Sequence, residues 1–358
     1  MTTAHINRVA VALPEHEVHE TFVRFAARLL RDRRSRLMFE RMVSRAQIEH
    51  RWSCLAPAPP GNHASVDDGG FYTLGRFPST AQRMTRYEAE APRLAAAAVD
   101  RLGLGDGARD ITHLIVTSCT GLSAPGVDLA IVRRCGLASS VERTVVGFMG
   151  CYAAITALKL ARHIVRAEPS AKVLVVSVEL CTLHLRETED IDRLLTFLLF
   201  GDGASAALVS AAPDGLALDG FCAVLVPDAA DQITWTIRDL GFDMMLSGRV
   251  PGTINEALRA AAAQVLPGLA AGEIDLWAVH PGGRRVLDAV EDAFALEAPA
   301  LATSRGVLRD HGNMSSPTVM FVLERLLRAK APAGARGCAM AFGPGLTAET
   351  MLFRKAAA

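Results

Sequence analysis

The sequence predicts a mixed α/β fold, and three observations carry that expectation. Short apolar runs of strand character alternate with longer stretches whose apolar residues recur at helical spacing. The alternation occurs in both halves of the 358 residues, so a duplicated architecture is expected although no short repeat is visible. Half of the residues are hydrophobic (50%), enough for one large core or two fused smaller ones.

Taken in order, a helix is expected over 18–33, where apolar positions alternate with arginines. Residues 56–77, rich in Pro, Gly and Asp, read as a long surface loop. Helical spacing returns over 80–102, and buried strands follow over 111–117 and 143–148. The stretch 151–166 reads as a helix that is apolar nearly all round, hence central. Strands are expected over 172–180 and 204–210, and 211–220 is a soft segment that could join two halves, 1–220 and 221–358. In the second half, helices are expected over 253–266, 284–294 and 314–329, and strands over 274–280 and 338–342.

Bulk composition excludes several function classes. With 38 basic and 38 acidic residues the net charge is zero, which gives no electrostatic reason to expect nucleic acid or an anionic membrane as partner. No apolar run approaches the roughly 18–20 residues of a membrane span. The N-terminus lacks a basic segment followed by an apolar one, so no secretory signal is read. Seven scattered cysteines without a CxxC pair point to reduced thiols and a cytoplasmic protein. No Gly-rich phosphate loop and no metal-ligand spacing is present, so neither a metal nor a cofactor is expected.

Three segments carry reactive groups, each after a strand-like run and before a helix-like one. They are GFMGCYA at 147–153, VHPGG at 279–283 and HGNMSS at 311–316. Cys151 is expected in the first turn of its helix, where free N–H groups and the helix dipole lower a thiol pKa. His280 follows a strand end, where α/β sheets place reactive groups, and Gly282 and Gly283 let a ligand approach the backbone. Singly, each residue has a plainer reading: a small buried hydrophobe, a structural histidine and a helix N-cap. Jointly, a thiol, an imidazole and a neutral amide suit carbon–carbon bond formation on thioesters. An amide at 313 donates hydrogen bonds without adding charge, whereas a carboxylate there would repel a developing negative charge.

Further motifs accompany the trio: GLSAPG at 121–126, LFGDGA at 199–204, VPG at 250–252, GNMSS at 312–316 and FGPGLT at 342–347. On these segments the chain resembles the type III polyketide synthases, the chalcone and stilbene synthase family, across almost its full length. The resemblance implies a thiolase fold, two similar α/β halves forming a five-layered αβαβα core, usually as a homodimer. It implies that Cys151 receives a starter acyl group from coenzyme A and that His280 holds it as a thiolate. Asn313, with His280, would bind the thioester carbonyl of malonyl-CoA while carbon dioxide leaves. Iterative decarboxylative condensation, then cyclisation to a pyrone, resorcinol or phloroglucinol ring, is the implied activity, with coenzyme A thioesters as substrates.

The same resemblance suggests substrate-binding positions. Phe200 matches a phenylalanine between the coenzyme A tunnel and the cavity, and Met244 aligns with a second one, Phe242 lying two residues earlier. Cys181 and His184 fall where relatives line the cavity, and Ser315, Gly282 and Gly283 belong to the matched motifs. Arg45 and Arg51 are the best positional candidates to meet the coenzyme A phosphates. Ala124 stands where plant relatives carry a methionine, and Ala341 where a glycine is common, so a plant-like chalcone product is not expected. Two other activities would use the same trio: a single-condensation ketosynthase III of fatty-acid synthesis, and a Cys-His-Asn acyl-CoA hydrolase.

Overall fold

In the computed structural model, residues 2–356 are described; Met1 and 357–358 lie outside. The first half contains β1 (His5–Ala12), β2 (His16–Glu17), α1 (His19–Leu29), α2 (Arg33–Ala46), β3 (Trp52–Ser53), α3 (Thr80–Leu102) and β4 (His113–Ser118). It continues with α4 (Val127–Arg134), β5 (Glu142–Gly147), α5 (Ala153–Ala167), β6 (Val173–Leu180), α6 (Ile191–Leu199) and β7 (Asp202–Ser210). The second half contains β8 (Leu216–Leu225), β9 (Ile233–Arg238), β10 (Gly241–Leu246), α7 (Val250–Ala260), α8 (Ala262–Val265) and β11 (Leu276–Val279). It ends with α9 (Arg284–Phe294), α10 (Ala302–His311), α11 (Thr318–Arg328), β12 (Arg336–Gly343) and β13 (Thr347–Lys355).

The duplication is written in the strand pairing. β1 runs antiparallel to β7, β7 antiparallel to β6, and β6, β4 and β5 run parallel. β8 runs antiparallel to β13, β13 antiparallel to β12, and β12 parallel to β11. The chain visits β1, β4, β6, β7 and β8, β11, β12, β13 in the same order, so each half winds alike. The halves join edge to edge through only two residue pairs, His5↔Ala217 and Ile6↔Leu216. Residue 220, where the sequence reading divides the chain, lies inside β8.

Layering follows from composition. β6 is buried at every position, which a continuous apolar run requires of a strand covered on both faces. α5 packs on β4, β6 and β7 of one half and on β12 and β13 of the other, so it lies between the sheets as its all-round apolar surface demands. α11 joins it there, and together they build a central core from Ile155, Leu158, Val319, Phe321 and Leu323. α3 and α4 cover the outer face of the first sheet, and α7 and α9 build the outer core of the second. The result is five layers, αβαβα.

Four local expectations need correction. The strand expected to be buried over 143–148 is the edge strand β5, exposed at its first four positions. The helix expected over 18–33 ends at Leu29, and a second helix that was not expected, α2, follows Asp32, which caps it by accepting the Ser35 N–H at 2.8 Å. The loop over 56–77 is anchored inside, since Tyr72 is fully buried and its hydroxyl donates to Thr182 O at 2.8 Å. The helix expected from 314 begins at Thr318, because Ser315 takes a φ of 57° and the turn before α11 is not helical. Among the described residues no helix is long and apolar enough to cross a membrane.

Candidate active site

One apolar cavity of about 780 Å³, its open mouth included, lies at the strand ends of both halves. Cys151, His280 and Asn313 all line it, brought from positions far apart in sequence. Cys151 sits in a single 3-10 turn, Gly150–Tyr152, that leads into α5. Phe148 (φ 56°) and Gly150 (φ 69°) turn the chain out of β5 to place it there. A Cβ on Gly150 would come within 2.2 Å of the Pro344 ring, so only glycine admits this approach. The FGPGLT segment thereby closes directly over the cysteine.

His280 follows β11 and holds the end of the sheet by donating its backbone N–H to Met340 O at 2.8 Å. Its ring is 1% exposed, and neither ring nitrogen has a hydrogen-bond partner in the protein. Two buried, unspent polar atoms at a cavity wall are costly, and they mark a place where a substrate or a proton is meant to arrive. Asn313 is more constrained. Its Oδ1 accepts from the Ser315 N–H at 2.8 Å and from the Thr318 hydroxyl at 3.4 Å. The amide nitrogen therefore faces the cavity, with one weak bond to Gly282 O at 3.4 Å and a second N–H to spare.

Charge in the site is set by burial. Cys151 is pushed up to about 11 by desolvation and by nearby Glu179, against the smaller opposing pull of hydrogen bonds from Ser315 and Asn313. His280 is pushed down to about 3 by desolvation alone. The loss of water thus works against the helix end, which by itself favours a thiolate.

Behind the cysteine lies a buried carboxyl group that the sequence reading missed. Glu179 accepts from Cys119 N–H at 2.9 Å, from the Thr120 hydroxyl at 2.8 Å and from the Ser316 hydroxyl at 2.6 Å. Burial nonetheless pushes it up to about 7. Cys119 and Thr120, which follow β4, line the cavity, as do Trp235, Phe197 and Pro344. The strand-end rule applied to Ser118-Cys119-Thr120 would have found the first two. Pro344 lies in the FGPGLT motif, whereas Trp235 and Phe197 come from segments without a local signature.

Of the suggested substrate-binding residues, Phe200, Cys181, Met244, Ser315 and Gly282 line the cavity. Cys151, Cys181 and Phe200 form one small apolar cluster, with Met244 and Leu199 packed against it. Met244 faces the cavity, whereas Phe242 is 1% exposed and packs against His184, Phe148 and Trp235. His184 does not reach the cavity. It is fully buried behind the wall, stacked on Phe242 at 4.2 Å, with Nε2 bonded to Thr120 O at 2.7 Å and Nδ1 accepting from Phe242 N–H at 3.1 Å. Gly283 also lies off the cavity, before the first turn of α9.

The two arginines part company. Arg45 is exposed in the last turn of α2, and its carbonyl accepts from Arg284 at 3.5 Å. Arg51 is fully buried and cannot meet a phosphate from solvent; its guanidinium bonds Phe200 O at 2.9 Å and Phe197 O at 3.3 Å. Among the described residues no group of three or more His, Cys, Asp or Glu could hold a metal ion.

Comparison with known proteins agrees with this geometry. Residues 4–213 match the family described as "Chalcone and stilbene synthases, N-terminal domain", and 219–357 match the corresponding C-terminal domain. The chain is 34% identical to "Alpha-pyrone synthesis polyketide synthase-like Pks18" of Mycobacterium tuberculosis, over 98% of this chain and 91% of that one. It is also 34% identical to a bisdemethoxycurcumin synthase of Oryza sativa subsp. japonica, over 90% and 83%. The crystal structure of PKS-I from the brown alga Ectocarpus siliculosus superposes with a TM-score of 0.88 at 29% identity, covering 99% of each chain. The type III polyketide synthase domain of Steely1 from Dictyostelium superposes at 0.89 with 23% identity, covering 99% of this chain and 100% of that one, a likeness of fold.

Proposed function

The chain belongs to the chalcone and stilbene synthase family, and from that premise we propose how its own residues perform the reaction and on which substrates. It is a type III polyketide synthase, an acyltransferase that forms carbon–carbon bonds. Its substrates are an acyl-CoA starter and malonyl-CoA. When the starter thioester arrives, Cys151 attacks its carbonyl and passes the thiol proton to His280, and coenzyme A leaves, taking up that proton. Burial opposes each charge taken alone, but thiolate and imidazolium formed together attract; two unit charges 4 Å apart gain about 4 kcal/mol at an effective dielectric of 20.

Malonyl-CoA then binds with its thioester carbonyl against the free N–H of Asn313 and the His280 ring. Carbon dioxide leaves, the electron pair becomes an enolate, and those donors stabilise the oxygen where charge develops. The enolate carbon attacks the acyl group on Cys151, and the thiolate leaves. The apolar wall excludes water that would protonate the enolate or hydrolyse the thioester. The β-ketoacyl-CoA so formed returns its acyl group to Cys151 with release of coenzyme A, so that each further round adds two carbons, and the product closes to a pyrone, resorcinol or phloroglucinol ring. The observation that carries this reading is that His280, with both ring nitrogens unpartnered, and the Asn313 amide line one apolar cavity with Cys151.

We also propose a homodimer, supported by Val145 (54% exposed) on the free edge strand β5 and by Leu122 (49%) in the loop after β4, testable by light scattering. Seven free cysteines support a cytoplasmic location. Arg45 and Arg284, neighbours at the end of α2 and the start of α9, are the basic pair we assign to the coenzyme A phosphates.

The test is incubation of pure protein with malonyl-CoA and a panel of acyl-CoA starters, followed by mass spectrometry. Polyketide products of at least two extensions are expected from one or more starters, and none from Cys151→Ala. Release of free acid without malonyl-CoA, or a product that stops after one extension, would replace this reading with the hydrolase or the ketosynthase III.

A further inference from the structure

The turn at 199–201, which carries Phe200, is held from two sides. On one side the backbone bonds that of Asn313: Asn313 N–H donates to Leu199 O at 2.8 Å, and Gly201 N–H to Asn313 O at 2.9 Å. On the other side Arg51 donates to the carbonyls of Phe197 and Phe200. Those carbonyls end α6, where the last turn leaves acceptors unpaired and the helix dipole is negative. Arg51 is therefore the C-terminal cap of α6.

The rest of the Arg51 side chain is equally fixed. Nε donates to His19 Nδ1 at 2.9 Å, which requires His19 to be neutral, and burial with the Arg51 charge pushes His19 down to about 3. The guanidinium stands 5.6 Å over the Phe22 ring. Its stem lies against Gly312: a Cβ on that glycine would come within 2.9 Å of Arg51 Cγ and 2.8 Å of Leu199 O. Gly312 immediately precedes Asn313, so the arginine touches the neighbours of both Phe200 and the reacting amide. Nη1 serves both carbonyls and Nε the imidazole, while Nη2 is buried without a partner in the protein; a lysine ammonium cannot span these acceptors with the same fixed geometry.

We propose that Arg51 is a positioning residue for decarboxylation, locking the Phe200 turn and the Asn313 backbone in the one register that aims the Asn313 amide at the malonyl thioester. The proposal rests on the reading of Asn313 given above. Acylation of Cys151 does not use that amide to stabilise an enolate, so the two half-reactions separate a positioning role from a general loss of folding.

The experiment compares Arg51→Gln and Arg51→Lys with the wild type in three measurements. These are uptake of an acyl group by Cys151, read from intact-protein mass, conversion of malonyl-CoA to acetyl-CoA, and Tm. Decarboxylation is expected to fall about a hundredfold in R51Q and about tenfold in R51K, acylation staying within about threefold, because small misplacements of a reacting group cost that much. If R51Q does not fold, R51K, which keeps the cation and can cap one carbonyl, decides. Parallel loss of both half-reactions in R51K, or unchanged decarboxylation in a folded variant, overturns the proposal. A wild type that acylates Cys151 but does not decarboxylate malonyl-CoA overturns the reading of Asn313, and this proposal with it.

Discussion

Replacing Asn313 by Asp exchanges one NH2 group for oxygen and leaves the shape of the side chain intact. One carboxylate oxygen inherits the acceptor role, keeping the bonds from Ser315 N–H and the Thr318 hydroxyl. The other takes the place of the amide nitrogen, 3.4 Å from Gly282 O, so that lone pairs face each other and the cavity loses its donor. Residue 313 is 2% exposed, and an unpaired carboxylate there also repels the malonyl carboxylate. Losing one fixed donor to a developing oxyanion costs about a hundred- to a thousandfold in rate, roughly 3–4 kcal/mol of transition-state stabilisation. Release of carbon dioxide from labelled malonyl-CoA measures that loss directly. Acylation of Cys151 should persist, and Tm should fall, because a buried carboxylate facing Gly282 O is costly even though the bond from Ser315 N–H survives. An N313D variant that decarboxylates within tenfold of the wild type would refute the assignment of the amide as donor.

Three further outcomes follow from the same geometry. Met244→Phe narrows the cavity beside the Cys151–Cys181–Phe200 cluster, so the ratio of kcat/KM for a long against a short acyl-CoA should fall about tenfold or more, the scale at which apolar pockets discriminate. Gly150→Ala must abandon a φ of 69° or meet the Pro344 ring, and should lose about 2–4 kcal/mol, read as a lower Tm together with slower acylation. Glu179 binds its proton more tightly when folded, from 4.5 up to about 7, so its contribution favours folding below pH 4.5 and is lost as pH rises to 7. At about 1.4 kcal/mol per pH unit that interval is about 3 kcal/mol. Glu179→Gln should flatten the fall of Tm between pH 5 and 7, and an unchanged slope would contradict the burial argument.

Much of the molecule was legible because local sequence and tertiary role agree. The all-round apolar helix after Cys151 had to be central, and the unbroken run of β6 had to be covered on both faces. Helices at 80–102 and 284–294 have the bounds their spacing suggests. The break at Asp32 was readable as well, since aspartate is a favoured N-cap residue, a signal that helical spacing alone ignores.

What the sequence by itself determined was the inventory: an α/β chain wound in two like halves, with a thiol, an imidazole and an amide at loop positions and the motifs that frame them. Tertiary structure decided everything that depends on which atoms exclude water. It drew Arg51 inside to cap α6, although Glu49 and His50 just before it are exposed, and set His184 behind the cavity wall rather than in it. It turned Met244 toward the cavity and Phe242 away. It raised the Cys151 thiol where the helix end alone would have lowered it. The physical reason is common to all four. Spacing along a chain fixes which face a residue occupies, but desolvation depends on what the rest of the chain packs against that face.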